Sequence, residues 1–135
     1  MSRERIEREL AVLHEGGLEA ALVSSSRGDC VLYRNLPTRG AKRNLPSVAD
    51  VIVPVPSGYP AAAIDLAGLT ANSALLPHLV GGTNSQGTFV AEGQTWQLAS
   101  YHPHGNGGGP PWDPMQCGFH TYVDHLLAWL ARLNQ

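Results

Sequence analysis

Two short segments, Tyr101-His102-Pro103-His104 and Trp112-Asp113-Pro114, frame a run rich in glycine and proline near the end of the chain. The run reads Gly105-Asn106-Gly107-Gly108-Gly109-Pro110-Pro111 and contains no cysteine or serine. Upstream, residues 94–101 alternate apolar and polar side chains, which predicts a strand. Downstream, residues 119–133 carry apolar side chains at helical spacing, which predicts an amphipathic helix. The two segments therefore join the last predicted strand to a C-terminal helix.

The rest of the chain supplies the other predicted elements. Residues 3–15 place Ile6, Leu10 and Leu13 on one helix face, and Gly16-Gly17 ends that helix. Apolar runs over 18–23 and 29–33 predict two strands, and the alternating valines of 48–55 predict a third. The polar residues 35–47 and the weakly periodic residues 59–93 are expected to be mostly loop.

This order of elements predicts an α+β fold within a single domain spanning residues 1–135. Strands that follow one another without intervening helices favour an antiparallel meander, here of three to four strands, over a parallel nucleotide-binding sheet. The expected architecture is an N-terminal helix, the meander, a long irregular segment and a C-terminal helix. The glycine run lacks the lysine of a phosphate-binding loop, so that motif is excluded.

Composition excludes several classes of function. The 135 residues carry a net charge of −2 with 15% charged residues, so the chain has no basic footprint for nucleic acid. Its apolar runs fall short of the roughly 20 residues that a membrane-spanning helix needs. The charged start, Met1-Ser2-Arg3-Glu4-Arg5, lacks the apolar stretch of a secretory signal. We therefore expect a cytoplasmic protein in which Cys30 and Cys117 are reduced thiols.

Four local motifs, in their order along the chain, resemble the ubiquitin-conjugating (UBC) superfamily. They are Leu36-Pro37, the run Val51-Ile52-Val53-Pro54-Val55-Pro56 leading into Gly58-Tyr59-Pro60, then Tyr101-His102-Pro103, and finally Trp112-Asp113-Pro114 before the C-terminal helix. The chain is most similar to the bacterial branch known as prokaryotic family E. The resemblance implies a meander flanked by helices, no cofactor, and two partners: a ubiquitin-like protein and the activating enzyme that delivers it.

The chain departs from the family at the reactive position. Typical members carry a nucleophilic cysteine between the histidine-proline motif and the tryptophan, where this chain has glycines, and the segment is shorter here. Typical members also have an asparagine at the position of His104, where it steadies a developing oxyanion. A histidine can donate a hydrogen bond to an oxyanion as well, so His102 and His104 are expected to shape or polarise the site.

Cys117 is the favoured nucleophile because a thiol ionises near neutral pH far more readily than a hydroxyl. It lies between the tryptophan motif and the C-terminal helix, where the helix dipole favours a thiolate. Gly118 is expected to leave its approach open, and His120 follows three residues later. The alternative is a small buried residue beneath the Trp112 loop, since free cysteines are usually buried.

Ser100 is the reserve nucleophile, with His102 two residues away on the same face of a strand. It would carry the acyl group as an oxyester, or else be an ordinary strand serine bonded to its neighbours. Cys30, in an early strand, is expected in the core. A third interpretation is that no residue serves, as in inactive members that bind ubiquitin-like partners without carrying them.

Around the nucleophile, Tyr101, Trp112, Asp113 and His120 are the expected binding residues. Asp113 either orients an incoming lysine or caps the following turn, and capping is favoured. The set His102, His104, Cys117 and His120 has zinc-binding side chains, but its spacing matches none of the familiar fingers, so no metal is expected.

The sequence therefore predicts a ubiquitin-conjugating-like carrier, with Cys117 or Ser100 as acceptor. The competing hypothesis is a non-catalytic module that binds a ubiquitin-like protein or scaffolds the activating enzyme.

Overall fold

The computed structural model describes residues 2–64, 66–78, 85–99 and 112–131. Two helices lie near the ends of the chain and six strands lie between them within these ranges. The elements are α1 (Ser2–Glu15), β1 (Glu19–Ser25), β2 (Gly28–Pro37), β3 (Val48–Pro54), β4 (Ala67–Thr70), β5 (Ser85–Ala91), β6 (Gln94–Ala99) and α2 (Phe119–Ala131). Single turns of 3₁₀ helix at Gly40–Arg43 and Leu76–His78 interrupt the connections. The predicted α+β class is confirmed.

All six strands are antiparallel and close into a barrel in the order β1-β2-β3-β4-β6-β5. The first four strands form a meander, and the β5–β6 hairpin packs beside β4 and returns to β1. The last closure is slight, because β5 meets β1 through the single pair Ser25↔Ala91. The prediction of three to four strands was therefore wrong: two more strands lie in the part of the chain that was expected to be loop.

Two regions that were predicted to be mostly loop contain regular structure. β2 continues to Pro37, and a 3₁₀ turn follows it, within the expected loop 35–47. Within residues 59–93, the missed strands are β4 and β5. β4 has only four residues, and β5 carries a bulge between Ser85 and Thr88 that disrupts its alternation. Both features erase the two-residue periodicity on which the prediction of a strand depends.

The middle residues of strands β2 and β3 are buried on both faces. On one face Val31, Tyr33, Val51 and Val53 pack against the helices, each with no exposed surface. On the other face Cys30, Leu32 and Ile52 join the smaller core inside the barrel, together with residues of the β5–β6 hairpin. This is why the two strands read as nearly continuous apolar runs. Cys30 is 1% exposed, as expected of a core residue.

The two helices pack against each other and cover the same side of the sheet. On α1 the buried face contains Ile6, Leu10 and Leu13, as the sequence predicts. On α2 the buried residues are Phe119, Tyr122, Val123, Leu126, Trp129 and Leu130. Neither of these helices is long and apolar enough to span a membrane. Their mutual packing brings the start of α1 against the start of α2, where Cys117 lies.

Candidate functional site

A buried carboxylate joins the two helices. Glu9 of α1 has an acidic side chain, yet it lies on the core-facing side of the helix and is only 6% exposed. Its Oε1 accepts hydrogen bonds from the Tyr59 hydroxyl at 2.6 Å and from the Phe119 amide at 3.0 Å. Its Oε2 accepts from Nε of Arg5 at 2.7 Å. Three donors thus offset the cost of burying the charge, and one of them is the first amide of α2.

Arg5 extends this network to the segment that precedes α2. Besides its bond to Glu9, its Nη2 donates to the backbone carbonyl of Cys117 at 2.7 Å. The guanidinium also lies 5.6 Å from the centre of the Tyr59 ring, within the range of a cation–π contact. One arginine therefore holds a carboxylate on its own helix and the backbone of the favoured nucleophile, 112 residues away in sequence.

Tyr59 is held as a neutral donor. Burial raises the pKa of its hydroxyl well above the ordinary value of 10.0, and the hydrogen bond to Glu9 raises it further. The nearby charge of Arg5 opposes the shift without cancelling it. Tyr59 therefore keeps its proton at neutral pH and donates a hydrogen bond to the Glu9 carboxylate, which is a structural role.

Gly118 is buried, and its missing side chain makes room for Glu9. A Cβ at this position would collide with the carboxylate of Glu9. The expectation that Gly118 leaves the approach to Cys117 open is therefore corrected: the glycine permits close packing of the two helices. Its amide donates to Oγ1 of Thr121 at 3.0 Å, and its carbonyl accepts from the first turn of α2.

Two of the motifs that carry the family resemblance contact each other. The indole Nε1 of Trp112 donates to the carbonyl of Pro60 at 2.8 Å. The rings of Tyr59 and Trp112 lie 6.1 Å apart at an interplanar angle of 56°. Tyr59 also contacts Phe119, with ring centres 5.1 Å apart. The aromatic contacts place Tyr59-Pro60, Trp112 and the start of α2 in one cluster.

Asp113 organises the turn that leads to Cys117. Its side-chain Oδ1 accepts from the Met115 amide at 2.9 Å, and its carbonyl accepts from the amides of Gln116 and Cys117, at 3.1 and 2.7 Å. This is the capping role that the sequence favoured over the orientation of a lysine.

Cys117 is half-buried and carries a free thiol. It lies two residues before α2 begins, its amide held by Asp113 and its carbonyl by Arg5. Both backbone groups are therefore held by hydrogen bonds, in a residue that is only partly buried. Among the expected binding residues, Trp112, Asp113 and His120 lie in the same region of the structure.

A small hollow of about 240 Å³ lies beside this segment, lined by Arg5, Arg8, Glu9, Val12, Met115 and His120. Met115 is 87% exposed and Val12 is 54% exposed, so apolar side chains face solvent at its rim. The Nδ1 atom of His120 is buried and is the one such side-chain polar atom without a hydrogen-bond partner among the described residues. His120 is half-buried overall.

Ser100, Tyr101, His102 and His104 lie outside the described residues. Their predicted roles as reserve nucleophile, binding residue and site-shaping histidines stay predictions. Within the described ranges, no group of three histidine, cysteine or acidic side chains is arranged to hold a metal ion. Two members of the considered zinc set, Cys117 and His120, fall within those ranges.

Arg5 and Glu9 are the site residues that the sequence interpretation missed. Glu9 lies three residues after Ile6 and four residues before Leu13, at the spacings that place side chains on one helix face. An acid on an otherwise apolar face is the signal that identifies it. Comparisons of the chain with protein-family models, curated proteins and solved structures found no match in any of the three.

Proposed function

We propose that the protein is a ubiquitin-conjugating-like carrier that accepts the C-terminal glycyl group of a ubiquitin-like protein on Cys117. The observation that carries the proposal is that Cys117, a half-buried residue with a free thiol, has both its backbone amide and its backbone carbonyl held by hydrogen bonds. The acyl group would then pass from Cys117 to an amine on the target. The partners would be a ubiquitin-like protein and its activating enzyme.

The fold supports the proposal through its arrangement of motifs. Six antiparallel strands lie between the two helices in the described residues, and the first four of them form the kind of meander that the resemblance implies. The Tyr59-Pro60 motif follows β3 and contacts the Trp112 motif before α2. The β5–β6 hairpin and the closure of the sheet depart from the simple meander that the resemblance implies.

The chemistry requires two acyl transfers. In the first, the thiolate of Cys117 attacks the carbonyl carbon of a thioester on the activating enzyme. A new carbon–sulfur bond forms, and the thiolate of the activating enzyme leaves, so no net proton moves. In the second, an amine attacks the Cys117 thioester, the Cys117 thiolate leaves, and the amine proton passes to solvent or a base.

A non-catalytic binding module is the second candidate. The hydrogen bonds made by the polar groups near Cys117 favour it. Glu9, Arg5 and the Tyr59 hydroxyl all hold backbone or one another. These four bonds hold the two helices and the backbone in place, and none of them involves the Cys117 thiol. Under this alternative the apolar rim formed by Val12 and Met115 would contact the partner without any covalent bond.

Intact-mass analysis separates the two candidates. The chain is incubated with ATP, an activating enzyme and its ubiquitin-like protein, with Cys117→Ala and Ser100→Ala as variants. The proposal predicts an adduct that thiols release and that Cys117→Ala abolishes. An adduct that survives thiols and is lost in Ser100→Ala would move the acceptor to Ser100. Binding without any adduct would support the module and overturn the carrier.

A further inference from the structure

We infer that Arg5 is a positioning residue for acyl transfer: it holds the Cys117 backbone where the thiol can meet an incoming thioester. The inference rests on the proposed function, because it assigns a role to Arg5 in that same site. Arg5 lies on α1, whereas Cys117 lies just before α2, near the other end of the chain.

The guanidinium of Arg5 makes two hydrogen bonds with different partners. Nε donates to Glu9 and Nη2 donates to the Cys117 carbonyl, both at 2.7 Å. The side chain of Arg5 is 23% exposed and that of Glu9 is 7% exposed, so both bonds are partly shielded from water. Charge-assisted hydrogen bonds in such surroundings are short and directional. The carbonyl of Cys117 is therefore tied to α1.

This tie matters because the other bonds that anchor the segment act on its neighbours: Trp112 is held by Pro60, and Phe119 is held by Glu9. The amide of Cys117 is held within its own turn by Asp113, and that bond fixes the turn without fixing the turn to the rest of the protein. Arg5 and the Glu9–Phe119 bond connect the segment to α1. Of these two, only Arg5 acts directly on the residue that carries the thiol.

The substitution Arg5→Lys distinguishes a role in positioning Cys117 from a role in stabilising the fold. Arg5→Lys keeps a cation four residues before Glu9 and so keeps the ion pair. An ammonium lacks the planar fork that reaches a carboxylate and a carbonyl together. Arg5→Lys should therefore retain most of the wild-type unfolding free energy while releasing the Cys117 carbonyl. Arg3→Ala is the matched control, because Arg3 is exposed and its contact with Glu7 is 4.0 Å long.

The test has two readouts on wild type, Arg5→Lys, Arg5→Ala and Arg3→Ala. The first is the rate at which iodoacetamide alkylates Cys117 in the folded protein, followed by peptide mass spectrometry. The second is acylation of Cys117 by a synthetic peptide α-thioester ending in Gly-Gly, measured over a range of peptide concentrations. The two arms need neither an activating enzyme nor a native partner.

We expect Arg5→Lys and Arg5→Ala to alkylate at least about threefold faster, because the released segment opens more often. We expect their maximal acylation rate to fall by about tenfold with an unchanged half-saturating concentration, because a misplaced nucleophile slows the reaction without weakening binding. Arg3→Ala should match wild type in both readouts.

The results separate failure of the inference from failure of the proposed function. Acylation of wild type at Cys117 together with unchanged rates in both Arg5 variants would overturn the inference alone. Absence of acylation in wild type would count against the carrier. In that case the alkylation rates still decide whether Arg5 holds the Cys117 segment. An Arg5→Lys variant that behaves as wild type in both readouts, beside a slowed Arg5→Ala, would reduce Arg5 to a structural ion pair.

Discussion

The carboxylate of Glu9 accepts a hydrogen bond from the backbone amide of Phe119, 110 residues later in the chain. A side chain of the first helix thus caps the first turn of the last helix. This bond, with the Arg5 bond to Cys117, ties the two ends of the chain together at the candidate site. The position of Cys117 therefore depends on residues near the N-terminus.

Glu9→Ala should destabilise the protein by about 3 kcal/mol, because it leaves the Tyr59 hydroxyl and the Phe119 amide without their acceptor in a buried place. Urea unfolding at neutral pH measures this. Glu7→Ala is the control, since Glu7 is 61% exposed and should change the unfolding free energy by less than about 0.5 kcal/mol. Equal effects at positions 7 and 9 would show that the buried network contributes little.

Gly118→Ala should cost about 1–3 kcal/mol, because the new methyl group needs the space of the Glu9 carboxylate. The loss should be strongly non-additive with Glu9→Ala, which removes the obstacle. Gly16→Ala is a suitable comparison, since the nearest atom to its Cβ lies at 3.4 Å. Fully additive effects of Gly118→Ala and Glu9→Ala would contradict the packing described for the two helices.

Stability should fall in alkali because the pKa of Tyr59 is raised in the folded state. Below the ordinary tyrosine pKa of 10.0, both states keep the proton and pH has no effect through this residue. Above it, the unfolded chain loses the proton first, so unfolding becomes easier by up to about 1.4 kcal/mol per pH unit. The same direction applies to Tyr33, whose pKa burial raises.

Urea unfolding between pH 8 and 11 tests this linkage. Tyr59→Phe should lower stability at pH 8 by about 1 kcal/mol through loss of its bond to Glu9, and should make the decline above pH 10 shallower. An unchanged slope in Tyr59→Phe would show that the hydroxyl titrates alike in both states.

The two cysteines should differ sharply in reactivity. Cys30 is 1% exposed, and burial raises the pKa of its thiol. Cys117 is half-buried at the surface of the turn. Iodoacetamide at pH 7.5 should therefore alkylate Cys117 about a hundredfold faster than Cys30 in the folded protein, and the two at similar rates in urea. Comparable rates without urea would remove Cys117 as an accessible thiol.

Periodicity was sufficient to predict the elements that bury one regular face. On α1 the spacing of Ile6, Leu10 and Leu13 identified the buried side, and on α2 the helical spacing of apolar side chains over 119–133 predicted an amphipathic helix. Local patterns succeed here because the helix period alone decides which side chains meet the core.

The remaining strands depend on contacts that local pattern does not contain. β4 includes Gly68, where an added Cβ would lie 3.1 Å from the Gln97 carbonyl and from Ile52, so the strand exists through close approach of its neighbours. β5 contains Gly87 at a φ of 97°, within its bulge. A glycine in each strand reads as a turn when taken alone.

The candidate site divides in the same way. Cys117, Trp112, Asp113 and His120 were singled out from sequence, and the structure brings their segment against Tyr59-Pro60. Arg5 and Glu9 were not identified from the sequence, because their partners Cys117 and Phe119 lie more than 100 residues away. From sequence alone, an arginine four residues before a glutamate on a helix predicts an ordinary surface ion pair and gives no sign of a buried network.

The most direct measurement of the central claim is the intact mass of the protein after reaction with ATP, an activating enzyme and its ubiquitin-like protein. The proposal predicts an increase equal to the mass of the ubiquitin-like protein less one water, released by thiols and absent in Cys117→Ala. An increase that persists in Cys117→Ala would contradict the assignment of Cys117 as acceptor, and no increase in the wild-type protein would contradict the carrier itself.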